Sequence, residues 1–223
     1  MPVDVHLLTV GVLGGTGPLG RGLARRFAAA GVTVVLGSRS AERGAEIAKG
    51  IQFDVPHCDV LGVDNAEAAS RADLLVVAVP YEGHADLLAG LAGRLAGKIV
   101  VDAVNPLGFD GKGAYALDVP EGSAAQQAER ILADSRVTAA FHHVSASLLA
   151  DLAVPRVEMD VLVLGEDREA TDTVQDLAAL IPGVRGIYGG RLRNARQVEA
   201  FTANLISINR RYKAHAGIRV TDV

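Results

Sequence analysis

Short, uninterrupted apolar runs alternate with amphipathic runs along most of the chain. The runs Leu7–Leu13, Val32–Leu36, Val60–Val63, Asp73–Val79 and Lys98–Val104 show little polar alternation, which is the pattern of strands buried on both faces. The segments between them read as helices: Arg21–Ala30, closed by Gly31, then Ala41–Lys49, Asn65–Arg71 and Ala85–Leu95, with an irregular stretch running through Pro56. A glycine-rich loop, Leu107–Gly113, precedes a helix from Ser123 to about Ala133 and a strand Val137–His142. Beyond residue 145 the pattern predicts a strand Asp160–Leu164, a helix Arg168–Ile181 ended by Pro182-Gly183, a short strand near Ile187 and a long helix from about Asn194 to Lys213. Alternating strands and helices predict a doubly wound, mainly parallel α/β sheet of Rossmann type. Residues 1–145 are expected to form the nucleotide-binding domain, and 146–223 a small C-terminal α/β appendage ending in the long helix.

The loop Gly14-Gly15-Thr16-Gly17-Pro18-Leu19-Gly20 joins the first strand to the first helix. The spacing Gly15-x-Gly17-x-x-Gly20 supplies a tight turn, a side-chain-free approach for a pyrophosphate and close packing of helix on strand. The second strand ends in Gly37-Ser38-Arg39, where NAD enzymes of this fold usually carry a carboxylate for the ribose hydroxyls. Arg39 and Arg43 offer two cations there instead, with Ser38 and Ser40 as hydroxyl donors, and the expected nucleotide is NADP. Two further strands end in Ala78-Val79-Pro80-Tyr81 and Val104-Asn105-Pro106, whose prolines would hold the loops open beneath the nicotinamide.

Composition narrows the chemistry further. Apolar residues make up 49% of the 223 but aromatics only 4%, so the core must be built from Ala, Val, Leu and Ile. The lone cysteine, Cys58, excludes an internal disulfide and suits a reducing compartment. Met1–His6 lack the basic patch of a leader, and Leu74–Val79 is far too short to span a bilayer, so a soluble cytoplasmic protein without a membrane partner is expected. The net charge of −4 argues against a nucleic-acid partner. It hides a basic end, because Arg191, Arg193, Arg196, Arg210, Arg211, Lys213 and Arg219 face only Glu199 and Asp222 after residue 189. No His-x-x-x-His, Cys–His pair at ligand spacing or Gly-x-Ser-x-Gly is present, so no metal or hydrolytic site is expected and the chemistry belongs to the coenzyme.

The run Gly14–Ala24, together with Gly37-Ser38-Arg39, Val79-Pro80-Tyr81-Glu82, Lys98–Val101, Gly122–Ala125, Phe141-His142 and Asn194–Glu199, resembles the NADPH-dependent F420 reductases. These are 8-hydroxy-5-deazaflavin:NADP oxidoreductases, and the resemblance spans nearly the whole chain in order. It implies reversible hydride transfer between C4 of the nicotinamide of NADP and C5 of the deazaflavin coenzyme F420, in a cytoplasmic homodimer. It also implies that Gly15, Thr16, Gly17, Pro18 and Leu19 hold the pyrophosphate and that Ser38, Arg39 and Arg43 hold the 2′-phosphate. Val79, Val104 and Ala140 would line the nicotinamide, with Ala78, Pro80 and Asn105 beside them at the strand ends and Ala216-Gly217 of the final segment close by. His142 is the candidate for orienting the deazaflavin, and no acid or base is assigned because the deazaflavin is itself a two-electron carrier. Its phosphate, lactyl and glutamyl groups make it a natural partner for the basic end of the chain. Tyr81, His84 and Asn105-Pro106 depart from some members of the family. An NADP-binding sensor, or a reductase-like module using a flavin, carbonyl or imine acceptor, is the alternative reading. Enzymes of the latter kind usually append a helical domain of about a hundred residues, and only one long helix follows residue 190 here.

Overall fold

A computed structural model describes residues 4–223; Met1–Val3, part of the stretch read for a leader, lie outside the described residues. The first half of the chain is β1 (Thr9–Leu13), α1 (Pro18–Ala29), β2 (Thr33–Ser38), α2 (Ala41–Asp54), β3 (Val60–Asp64), α3 (Asn65–Arg71), β4 (Leu74–Val77), α4 (His84–Leu95) and β5 (Ile99–Asp102). A hairpin of β6 (Leu107–Asp110) and β7 (Gly113–Ala116) follows. The remainder is α5 (Ala124–Ile131), β8 (Arg136–Ala139), α6 (Ala146–Ala150), β9 (Met159–Gly165), α7 (Arg168–Ala179), β10 (Val184–Gly190) and α8 (Ala195–Tyr212). Eight strands form one sheet in the order β10-β9-β8-β5-β4-β1-β2-β3, parallel throughout except between β8 and β9.

Each central strand is buried along its length and feeds two cores, because successive side chains point to opposite faces. Val10, Val12, Val34, Leu36, Val76 and Val101 pack with Leu23 and Phe27 of α1 and with Val174 and Leu177 of α7. Leu13, Val35, Leu75, Val77 and Val100 pack on the other face with α3, α4, α5 and Val198 of α8. The chain leaves β1 in one direction for β2 and β3 and returns to its other side for β4, so a crevice opens at the carboxyl ends of β1 and β4.

The expected helix beginning at Arg21 starts three residues earlier, at Pro18. Proline is tolerated at the first helical position, where its missing N–H has no partner to lose. The second helix continues past Lys49 to Asp54, absorbing most of the stretch read as irregular. The expected loop Leu107–Gly113 is instead most of the β6–β7 hairpin, whose side chains are largely exposed and carry no core-facing alternation. The strand expected to reach His142 ends at Ala139, and Phe141 adopts a left-handed φ of 65°. β9 and β10 extend the central sheet, so the division expected at 145/146 falls between two paired strands, β8 and β9.

Two close contacts set the position of the site. A Cβ on Gly62 of β3 would fall inside the carbonyl of Gly44 in α2, so that helix lies on its strand backbone to backbone. The antiparallel register Thr138↔Gly165 and Ala139↔Leu164 pairs the carboxyl end of β9 with that of β8, so the amino end of β9 extends past the end of β8 on the carboxyl side of the sheet. There the fully buried Asp160 accepts from Arg185 Nε (2.7 Å) and Nη2 (2.6 Å), Arg219 Nη1 (3.0 Å) and Val220 N (2.7 Å), tying the final segment to the crevice edge. These donors, Arg185 foremost, hold the Asp160 carboxyl well below the usual carboxylate range despite its burial.

Candidate coenzyme site

The crevice at the switch point is a cavity of about 560 Å³ lined by Gly14, Thr16 and Gly17, by Ser38, Arg39 and Arg43, and by Ala78, Val79 and Pro80. Three separate loops predicted from the sequence thus meet in one cleft. Gly14 has a φ of 73° that favours glycine, and its carbonyl accepts from Gly17 N at 2.8 Å to close the turn. A Cβ on Gly20 would lie 2.6 Å from that carbonyl, so helix α1 can approach the turn only without a side chain there. Gly17 caps the helix with no side-chain hydrogen bond, and no acidic residue occupies the first turn. The first N–H groups and the positive end of the helix dipole therefore face the cleft with no acidic side chain in their own turn to neutralise them, which suits a pyrophosphate.

The residues that follow the second strand, Ser38, Arg39 and Arg43, line the same cleft. Ser38 is buried, its Oγ accepting from Ser40 N at 3.3 Å, while Ser40 caps α2 by accepting from Arg43 N. This caps the helix so that Arg43 sits in its first turn beside Arg39. Neither arginine has an acidic partner among the described residues. Two uncompensated guanidinium groups beside a strand end with no carboxylate fit a 2′-phosphate. Asn65, which the sequence reading missed, lines the same cleft, and its buried Oδ1 lacks a partner. Glu82, Gly83 and Leu87 complete the wall. Glu82 was within the Val79–Glu82 motif, whereas Asn65 carries no local signal beyond starting a helix.

The other expected residues lie around rather than in this cavity. Gly15 faces Leu36 beneath the turn, Pro18 is exposed at the helix start, and Leu19 packs against the core. Val104 and Ala140 are buried at the ends of β5 and β8, and Asn105 Nδ2 donates to the His142 carbonyl at 2.8 Å. Thr202 Oγ1 of α8 donates to the same carbonyl at 3.1 Å. Ala216 N donates to Asn209 Oδ1 at 2.6 Å, and Gly217 lies against Met159. The His142 ring is buried with both nitrogens unpartnered, and burial pushes its pKa down to about 4, so it is neutral at physiological pH.

A polar cluster behind Val79 and Tyr81 was not anticipated. His84 Nε2 lies 2.6 Å from Asp102 Oδ2, and its Nδ1 lies 3.0 Å from Gln127 Oε1, with both His84 and Asp102 fully buried. Burial pulls the His84 pKa down, but the hydrogen bond and charge of Asp102 outweigh it and hold it above the ordinary value. Asp102 Oδ1 also accepts from Val104 N at 3.1 Å, fixing the turn at the end of β5. Glu199 of α8 accepts from Ala124 N (2.9 Å) and Ala125 N (3.1 Å), capping α5 from a distance. Burial raises the Glu199 pKa to about 7, against the pull of those two N–H groups.

Both raised groups have the same linkage sign: each stabilises the fold most at low pH. For Glu199 that stability declines from pH 4.5, the unfolded value, to pH 7. The melting temperature is therefore expected to fall between pH 5 and pH 8. Glu199→Gln, which cannot ionise, is expected to lower stability by about 1 kcal/mol at pH 5, where one N–H loses its acceptor, and to flatten this fall so that the deficit closes or reverses at pH 8; melting curves showing an unchanged slope would refute the assignment.

Comparison with known proteins gives the family. Residues 9–106 match the family described as NADP oxidoreductase coenzyme F420-dependent. The F420-dependent NADP reductase of Methanothermobacter thermautotrophicus is 38% identical over 99% of this chain and 98% of its own. The chain belongs to the F420-dependent NADP reductases. A second member, from Methanocaldococcus jannaschii, is 38% identical over 97% of this chain and 99% of its own. A solved structure from Arthrobacter sp. FB24, described as a candidate F420-dependent NADP reductase, superposes with a TM-score of 0.78 at 27% identity, covering 96% of this chain and 99% of that one. The family is one of oxidoreductases whose coenzymes are NADP(H) and F420, and this chain has the mainly parallel sheet and long final helix expected from its sequence. No helix among the described residues is long and apolar enough to cross a membrane.

Proposed function

We propose that the chain catalyses reversible hydride transfer between NADP(H) and F420 with the residue roles expected above. The observation that carries the coenzyme choice is the pair Arg39 and Arg43, unpaired in a cleft that also contains the bare helix end at Gly17. When bound, NADPH supplies a hydride at its nicotinamide and F420 takes one up. The protein's own task is then to hold two planar groups together and exclude water. Thr16, Gly17, Pro18 and Leu19 with Gly15 hold the pyrophosphate, and Ser38, Arg39 and Arg43 the 2′-phosphate. Ala78, Val79, Pro80, Val104 and Ala140 supply the apolar strand ends beside the nicotinamide, and Asn105 a polar group among them. Ala216-Gly217 belong to the segment that Asp160 ties to the same edge, which supports their place near it. The neutral His142 ring, with two unpartnered nitrogens, suits orientation of the deazaflavin without adding charge. The segment after residue 145 completes the deazaflavin side of the site.

The test is direct: purified protein, NADPH and oxidised F420 should give loss of the deazaflavin's visible absorption. Tight NADPH binding without bleaching at any pH would overturn the enzyme reading and favour a sensor. We also place the protein in the cytoplasm as a homodimer. Phe201, Ile208 and Tyr212 recur at i, i+7 and i+11 on α8, forming an exposed apolar stripe suited to a second copy. Sedimentation should give twice the 23.2 kDa chain mass, and Ile208→Asp should give the single mass; a wild-type protein sedimenting as a monomer would sink the dimer.

A further inference from the structure

Outside the nucleotide cleft, a groove of about 590 Å³ runs between the β6–β7 hairpin and α8. Phe109, Ala114 and Ile206 supply its apolar surface, and Lys112, Arg210 and Arg211 its charge. None of these three cations forms an ion pair among the described residues. The single carboxylate in the groove, Asp110, is occupied by the hairpin turn, where it accepts from Lys112 N at 2.7 Å and Gly113 N at 3.1 Å. The other cations of the basic end divide differently: Arg191 pairs with Glu166, Arg196 with Asp118, and Arg219 with Asp160 and Glu158. The excess positive charge of the chain's end is thus concentrated partly in this groove.

The groove also points at the reaction site. Its two walls start from one atom, the His142 carbonyl, which accepts from Asn105 just before β6 and from Thr202 on α8. From Thr202 the helix runs through Ile206 to Arg210, eight residues or about 12 Å along its axis. A ligand whose ring lies at His142 would therefore find the cations one arm's length away, in line with the groove. Arg210 lies on α8 roughly opposite the Phe201–Ile208–Tyr212 stripe, so a second copy seated on that stripe would leave the groove open.

We infer that this groove is the seat of the acidic side arm of F420, with Arg210, Arg211 and Lys112 holding its phosphate and carboxylates. The inference rests on the proposed activity and adds the part of the site that recognises the arm rather than the ring. Charge-assisted bonds from three free cations favour an anionic chain over the bare chromophore.

The test compares F420 with its 8-hydroxy-5-deazaflavin riboside, which lacks the phosphate, lactyl and glutamyl groups. Binding is read directly by deazaflavin fluorescence and so does not depend on turnover. Arg210→Ala/Arg211→Ala is expected to weaken F420 binding by on the order of ten- to a hundredfold and to leave riboside and NADPH binding unchanged. Arg210→Lys should retain most of the affinity, and added salt should weaken F420 far more than the riboside. Equal losses for both deazaflavins, or no loss for F420, would overturn the inference. Failure of the activity itself appears separately, as binding without bleaching in the unaltered protein.

Discussion

Arg39→Asp is expected to raise the KM for NADPH by about a hundredfold or more while changing the KM for NADH little, because it removes one cation and sets a carboxylate against the 2′-phosphate. The geometry behind this is local. Ser38 is buried and holds the strand end, Arg39 follows it into the cleft, and Arg43 comes one helical turn later. A hundredfold is about 2.7 kcal/mol, the size expected when a charge-assisted bond is lost and a repulsion gained. Steady-state kinetics with both nucleotides check it, and equal losses would refute a role in binding the 2′-phosphate. Arg43→Ala should show the same selectivity with a smaller effect, since Arg39 remains.

His84→Leu is expected to lower the stability of the fold by about 3–5 kcal/mol. Asp102 is fully buried at the end of β5, and the substitution leaves its carboxylate without the imidazole that compensates it. His84→Leu/Asp102→Leu should recover part of that loss, because removing both charges also removes the desolvation cost. Recovery stays partial because Val104 N loses its acceptor. Denaturant unfolding of the three proteins decides it. A single substitution costing under 1 kcal/mol would show that the pair is not what fixes the β5 turn.

Much of the nucleotide half was legible because buried parallel strands announce themselves as short, unbroken apolar runs. Helix starts were less so where the capping residue resembled a loop: Pro18 closes a glycine turn and yet begins α1. The hairpin after Pro106 was hidden because it packs outside both cores. Phe109 and Tyr115 are exposed, so no period of two marks a buried face. Strand direction leaves no trace in hydropathy, and the reversal at β9, which brings Asp160 to the crevice, was not readable. Within the site, Thr16, Ser38, Arg39 and Arg43 were found because they follow strand ends at fixed spacing. Asn65 and the His84–Asp102–Glu199 cluster were not, since their partners lie far apart in the chain and meet only through the fold.

The contact between Gly44 and Gly62 separates two jobs that many coenzyme sites combine in the same residues. The seat of α2 is decided by main chain against main chain, so the side chains at 39 and 43 do not hold the helix in place. Their charges can be exchanged without shifting the scaffold that presents them. With the roles proposed for Arg39 and Arg43, a preference for one dinucleotide over the other is editable at two exposed positions, whereas a side chain introduced at Gly62 would displace the whole helix.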